Sequence, residues 1–289
     1  MGQWDGRTVG LWDGRTVGQW DCGTVGLWDW DKEGRVLGLP DFSKRIWVAE
    51  AMDAVDCDEA MLLRTIAQFG GINRLVSRYR TLLARTVLRD MRDAPEREYH
   101  LVDLGAGGCD IPAWLLQRSR QLGLRLRVTA LDSDARTVAW AQRRWAREEG
   151  LTVVCAGAEE LARFGPVDYV FANHFLHHLP DEAIRPILAR VRDVAARGYV
   201  LADIRRGAFA YMGVTLLNGL FFRRSFALAD GQLSVRKGFL KSELEALLPA
   251  GVPAGMAGSS SPAGTAGSGA RVETLFPARL AVVGGEVFR

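Results

Sequence analysis

Between residues 99 and about 204 the chain alternates short apolar runs with longer stretches whose apolar residues recur at steps of three and four. "YHLVDLG", "LRVTALD", "TVVCA", "VDYVFAN" and "GYVLADI" are short and rich in β-branched or aromatic residues, the pattern of buried strands. "DIPAWLLQRSRQLG", "DARTVAWAQRRWAREEG" and "EAIRPILARVRDVAA" carry helical periodicity, with Asp110 placed as an N-cap and Pro112 in the first turn. Strands separated by helices of this length predict a parallel sheet covered on both faces. That is a doubly wound α/β fold, whose ligands bind beyond the carboxyl ends of the strands.

The flanks read differently. Residues 42–92 place Met61, Leu62, Ile66, Phe69, Ile72, Leu75, Tyr79, Leu82 and Leu83 three or four apart, an amphipathic pattern that predicts a helical cap over 39–95. Gly70-Gly71 is expected to divide it into two helices. Residues 206–240 begin with the apolar "GAFAYMGVTLLNGLFF" and are expected to form a lid. Residues 249–270 are low in complexity and too poor in bulky apolar groups to fold, a linker. Beyond them, two short strands around Pro277 are expected to close the sheet edge, completing the domain 96–289. The first 33 residues repeat with period 8 about Trp4, Trp12, Trp20 and Trp28. That period is too short for a stacked-repeat architecture. Residues 1–38 are therefore expected to be poorly ordered and dispensable: their removal should leave activity and melting temperature unchanged.

Composition narrows the class. The 289 residues are 48% apolar and 25% charged, the profile of a soluble globular protein. A formal charge of +3 does not point to nucleic acid. Cys22, Cys57, Cys109 and Cys155 are scattered, without zinc spacing, and read as reduced thiols of a cytoplasmic protein. No signal peptide is visible, and the most apolar run falls short of the roughly 20 residues that span a bilayer.

"LVDLGAGGCD" is a strand entering a glycine-rich turn at a helix start. It fails the dinucleotide fingerprint, because Asp110 stands where the third glycine belongs and would oppose a pyrophosphate. It resembles motif I of the class I S-adenosylmethionine-dependent methyltransferases, which Asp103, Gly105, Gly107 and Gly108 match. The resemblance covers roughly 42–289, the low-complexity stretch excepted, and implies a seven-stranded, mostly parallel Rossmann-like sheet. It implies S-adenosyl-L-methionine as cofactor, along a loop of Asp103, Gly105, Ala106 and Gly107, with Asp132 on the ribose hydroxyls and Ser133 beside it. One position departs from the family: Gly157 stands where an acidic residue usually meets the adenine. Ala158 then faces the adenine, Glu159 substitutes, and Asn173 completes the cofactor wall.

"FANHFLHHLP" holds three of the four histidines, His174, His177 and His178, at helical spacing. Adjacent helical residues point about 100° apart, and the segment falls beside the cofactor in the resembling family, so no metal is expected. The stretch is similar to plant-type small-molecule O-methyltransferases, a likeness that implies His177 as general base. His174, His178 and Arg236 are then expected on the acceptor. Loosely, the chain resembles the ubiquinone/menaquinone-biosynthesis-like group. The expected acceptor is a small aromatic or quinol-like metabolite, of secondary metabolism, methylated on oxygen rather than carbon. The alternatives are an RNA methyltransferase and a non-catalytic methyltransferase-fold partner; the chain alone is compatible with monomer or homodimer.

Overall fold

The computed structural model describes residues 29–30, 36–222, 224–248 and 269–288. Most of the octapeptide repeat and nearly all of the low-complexity linker lie outside the described residues. At the amino end β1 (Asp29–Trp30) pairs antiparallel with β2 (Val36–Gly38). The chain then runs extended to a short 3-10 turn, Ala51–Asp53, and into α1 (Glu59–Val76), α2 (Tyr79–Arg85) and α3 (Val87–Met91).

The alternating region forms β3 (Glu98–Leu104), α4 (Asp110–Gln121), β4 (Arg125–Asp132), α5 (Ala135–Arg144) and β5 (Leu151–Cys155). β6 (Val167–Asn173), α6 (Asp181–Val194) and β7 (Ala195–Ile204) follow. A helical hairpin, α7 (Ala208–Phe221) and α8 (Ala227–Lys237), leads through α9 (Lys241–Leu247) to β8 (Arg271–Leu275) and β9 (Arg279–Gly284). The seven-stranded sheet has the order β5-β4-β3-β6-β7-β9-β8; β9 alone is antiparallel to its neighbours. The order reverses between β3 and β6, so the crevice that such a switch point opens lies above their carboxyl ends.

Period-2 alternation explains why both faces must be covered. Leu101 packs with Leu82, Leu83, Met91 and Leu115 on one face, while Val102 packs with Ile184, Leu188 and Val191 on the other. Val282 and Val283 divide in the same way.

Two expectations about the cap are corrected. α1 runs through Gly70-Gly71 without a break. Gly70 faces the Asp110 side chain at the start of α4, where an added Cβ would make an ordinary contact at 3.5 Å, and an added Cβ at Gly71 would meet nothing within 4 Å. The division comes at Arg78, which adopts φ 59 between α1 and α2. Residues 42–58 form no α-helix: apart from the 3-10 turn at Ala51–Asp53 they make an irregular, largely extended strap lacking apolar periodicity. Polar contacts to α8 hold it. The Ala51 and Met52 amides donate to Asp230, at 2.9 and 3.0 Å, and Arg45 Nε donates to the Lys237 carbonyl at 2.7 Å.

At the base of the sheet, Arg197 grips buried Asp90 through Nε and Nη2 at 2.6 and 2.7 Å, and the Tyr169 hydroxyl donates to the same carboxylate. Burial alone would raise the Asp90 pKa; Arg197 and Tyr169 outweigh it and bring it below the ordinary value of 3.8. A depressed carboxyl contributes stability that is present above its unfolded pKa and lost as pH falls through the folded one. Asp90→Ala is thus expected to cost about 3 kcal/mol in urea unfolding at pH 7, and less as pH drops below 4.

Candidate functional site

β3 ends at Leu104 and the chain turns through Gly105 (φ 64) and Gly107 (φ 51), conformations that favour glycine. Contact also excludes a side chain at Gly105, where a Cβ would lie 2.7 Å from the Phe175 ring. Asp132 ends β4 alongside. One oxygen accepts the Gly107 N–H at 2.9 Å and the other accepts the Asp134 N–H at 3.0 Å, so the carboxylate organises the loop it faces.

Asp110 is not the N-cap. Cys109, at φ 56, takes that position and Asp110 is the first helical residue. Its carboxylate is free to face the crevice: Oδ1 lies 3.5 Å from Asn73 Nδ2, and Oδ2 is buried with no hydrogen-bond partner. Burial raises the pKa of Asp103, Asp110 and Asp132 alike. Three acids crowded into one buried wall call for a cationic ligand.

They line part of a cavity of about 1160 Å³. Ser133, Ala156, Gly157, Ala158 and Asn173 also line the cavity. Asn173 is fixed by donating to Asn73 at 3.2 Å and accepting from Arg279 at 3.0 Å. Much of the remaining lining is apolar: Leu62, Ile66 and Phe69 of α1, with Ile66 against Gly108 of the loop, and Phe209, Val214 and Leu217 of α7. The Glu159 side chain folds across Gly157, filling the space that a side chain at residue 157 would take.

The three histidines belong to the same lining, without the helix their spacing suggested. His174 adopts φ 59 as the chain leaves β6, and Leu176–His178 makes one 3-10 turn. The rings of His177 and His178 consequently pack 4.3 Å apart, centroid to centroid, rather than diverging. His177 Nδ1 lies 2.7 Å from Asp203 Oδ1 at the end of β7, and Asp203 also accepts the His177 amide at 3.1 Å. His178 Nδ1 lies 3.2 Å from Asp53 Oδ2. Both Nε2 atoms turn toward Glu50 of the strap, at 3.7 and 3.9 Å. Glu50 Oε1 accepts from Ser234 at 2.8 Å and from Lys237 at 3.1 Å.

Burial lowers the pKa of His177 despite Asp203. His178 is pushed down by burial, but Asp53 and Glu50 outweigh that and raise it. Asp203 would be raised by burial, yet His177 holds it well below the usual carboxylate range. His177 is only 1% exposed, whereas the His178 side chain retains 29% of its surface. Direct contact of the His177 imidazole with an acceptor would therefore require Glu50 to leave.

Residues 101–198 match the family described as "Methyltransferase domain". The match covers 98 of the 289 residues, about a third of the chain. It contains β3 to β6, the glycine loop, Asp132 and the histidine turn. No curated protein matches the chain. Among solved structures, human N-acetylserotonin methyltransferase aligns with a TM-score of 0.50 at 14% identity, over 79% of this chain and 56% of that one, and shows the shared fold. A methyltransferase from Aquifex aeolicus gives 0.49 at 14%, covering 78% and 97%. A plantazolicin methyltransferase gives 0.46 at 17%, over 63% of this chain; the chain spans 64% of that protein's length.

Most expected site residues of the methyltransferase domain converge on the cavity; two do not. Arg236 does not line it: its carbonyl accepts from Ile46, and its neighbour Lys237 is the residue that reaches Glu50. Glu159 also lies outside the lining. Glu50, Asp53, Asp203 and Lys237 escaped sequence reasoning. Only Asp203 had a legible signal, an acid at the carboxyl end of a strand like Asp132.

Proposed function

We propose that this chain is an S-adenosylmethionine-dependent methyltransferase acting on a small, lipophilic, aromatic or quinol-like acceptor, with oxygen the favoured methylation site. The observation that carries it is the make-up of the cavity: an acid-lined glycine loop with the unpartnered Asp110 Oδ2, within a lining whose other residues are mostly apolar. S-adenosylmethionine supplies a methyl group on a cationic sulfonium and bears a second positive charge on its amine. Asp103, Asp110 and Asp132 fit those charges and the ribose hydroxyls, with Gly105, Ala106, Gly107 and Ser133 giving close backbone approach. Ala158, Glu159 and Asn173 are assigned to the adenine side and the cofactor wall.

α1 and α7 exclude water from the cavity and present it mostly with carbon, as small-molecule pockets do. His174 and His178 are assigned to the acceptor, and His177, oriented by Asp203, to its activation. Among the described residues no helix is long and apolar enough to cross a membrane. A cytoplasmic monomer or homodimer handling a free metabolite is consistent with this reading.

The test is a mass-shift screen of phenols, hydroxyquinols and polyketides with S-adenosylmethionine. A 14-dalton gain on a phenolic acceptor (one methyl for one proton) supports the reading. Turnover only on RNA, with binding that falls steeply with salt, would replace it; calorimetry without S-adenosylmethionine binding would leave a non-catalytic partner. Glu159→Ala is expected to weaken cofactor binding about fivefold, the loss of one hydrogen bond worth about 1 kcal/mol. An unchanged Kd would show that the adenine goes without an acidic partner.

A further inference from the structure

Two imidazoles and a carboxylate meet in the lining of the cavity. The ligand-capable atoms of Glu50, His177 and His178 all lie within 4.8 Å of one another. The 3.7 and 3.9 Å separations of Glu50 from the two Nε2 atoms exceed hydrogen-bonding distance. The first is to Oε1 and the second to Oε2, so the carboxylate faces His177 with one oxygen and His178 with the other, each a few tenths of an ångström beyond the roughly 3.4 Å edge of a tetrahedron built from bonds of about 2.0–2.1 Å. Each ring is oriented from behind by a carboxylate on Nδ1, Asp203 for His177 and Asp53 for His178. That outer arrangement fixes the tautomer with Nε2 free, as in metal-bound histidines. Ser234 and Lys237 occupy only Oε1 of Glu50, leaving Oε2 toward His178. Three carboxylates surround the pair: Glu50 is paired with Lys237, Asp53 with His178, and Asp203 lies within electrostatic reach of Arg45 and Arg279.

We propose that Glu50, His177 and His178 bind a first-row divalent cation of the zinc class through the carboxylate and the two Nε2 atoms. The ion deepens the role given to His177 above and rests on the methyltransferase reading for its use: as a Lewis acid on an acceptor oxygen it lets the hydroxyl give its proton to solvent water, and that oxygen then takes the methyl from the sulfonium as the thioether leaves. It also removes the need for Glu50 to move aside for the buried imidazole.

The experiment uses the full chain with Cys22, Cys57 and Cys155 replaced by serine, so that thiols do not capture the probe. Co²⁺ is titrated without cofactor or acceptor, followed by visible absorption, and then displaced by Zn²⁺. One equivalent with the intense bands of four- or five-coordinate cobalt is expected. Glu50→Gln and His178→Ala should each weaken it at least 100-fold, and Asp53→Asn 10- to 100-fold. S-adenosylmethionine affinity in Glu50→Gln, measured by calorimetry, should stay within a few-fold and certifies that the variant is folded. No cobalt bound by the parent, or equal binding by Glu50→Gln and His178→Ala, overturns the site. Cobalt binding by a chain that does not bind S-adenosylmethionine would instead sink the methyltransferase reading and keep the metal site.

Discussion

Asp132→Ala is expected to raise the dissociation constant for S-adenosylmethionine by 100-fold or more, beyond the range of ordinary calorimetry. Two effects combine. The carboxylate at the end of β4 is placed to accept two ribose hydroxyls, charge-assisted bonds worth about 1.5–3 kcal/mol each in a buried site. The same carboxylate accepts the Gly107 and Asp134 amides, so its removal also leaves the glycine loop without its tether. Asp132→Asn separates the effects, since its one carbonyl oxygen can keep the Gly107 contact while losing the charge. It should fall between parent and alanine variant. Melting temperature without cofactor should move little: burial raises the Asp132 pKa, so the carboxylate is a cost to the fold that its ligand offsets. Cofactor binding within tenfold of the parent would remove Asp132 from the site.

The order of elements was legible because each strand declares itself locally. "LVDL" and "RLAVVG" alternate residues between two cores, and both faces being apolar is itself the signal of a covered sheet. The Gly70-Gly71 expectation failed for a different reason. Glycine lowers helix propensity by about 1 kcal/mol, a cost that α1 offsets by burying Leu62, Ile66 and Ile72 on either side of the pair. Tertiary packing outweighed a local preference. The strap at 42–58 was likewise misread, because its shape comes from Asp230 and the carbonyls of α8 rather than from its own periodicity.

At the site, legibility follows sequence distance. Asp103, the glycines and Asp132 form two short motifs at the ends of adjacent strands, and both could be read. The histidine cluster could be seen but not interpreted. Its partners come from the strap (Glu50, Asp53), from β7 (Asp203) and from α8 (Lys237), segments that only the fold brings together. The error about His177 and His178 came from assuming an α-helix. A 3-10 turn after a left-handed His174 instead brings the rings to 4.3 Å.

His177→Ala is expected to lower kcat by 100- to 1,000-fold on a phenolic acceptor, with the cofactor dissociation constant within threefold of the parent. Activation of an acceptor hydroxyl by a positioned group contributes about 10²- to 10⁴-fold, and the proposed reading gives that role to His177, whose Nδ1 is paired with Asp203. The variant should fold, because Asp203 keeps the residue-177 backbone amide and the Ile204 amide as donors after the ring is gone. Asp203→Asn leaves the imidazole but lets its tautomer reverse, turning a donor where Nε2 now offers a lone pair. It should lose kcat by 10- to 100-fold with little change in KM. A residue that merely fills space would move KM and melting temperature and leave kcat alone. If His177→Ala turns over within a few-fold of the parent, acceptor activation does not pass through this ring, and the Asp203 pairing belongs to the packing of β7 against the histidine turn.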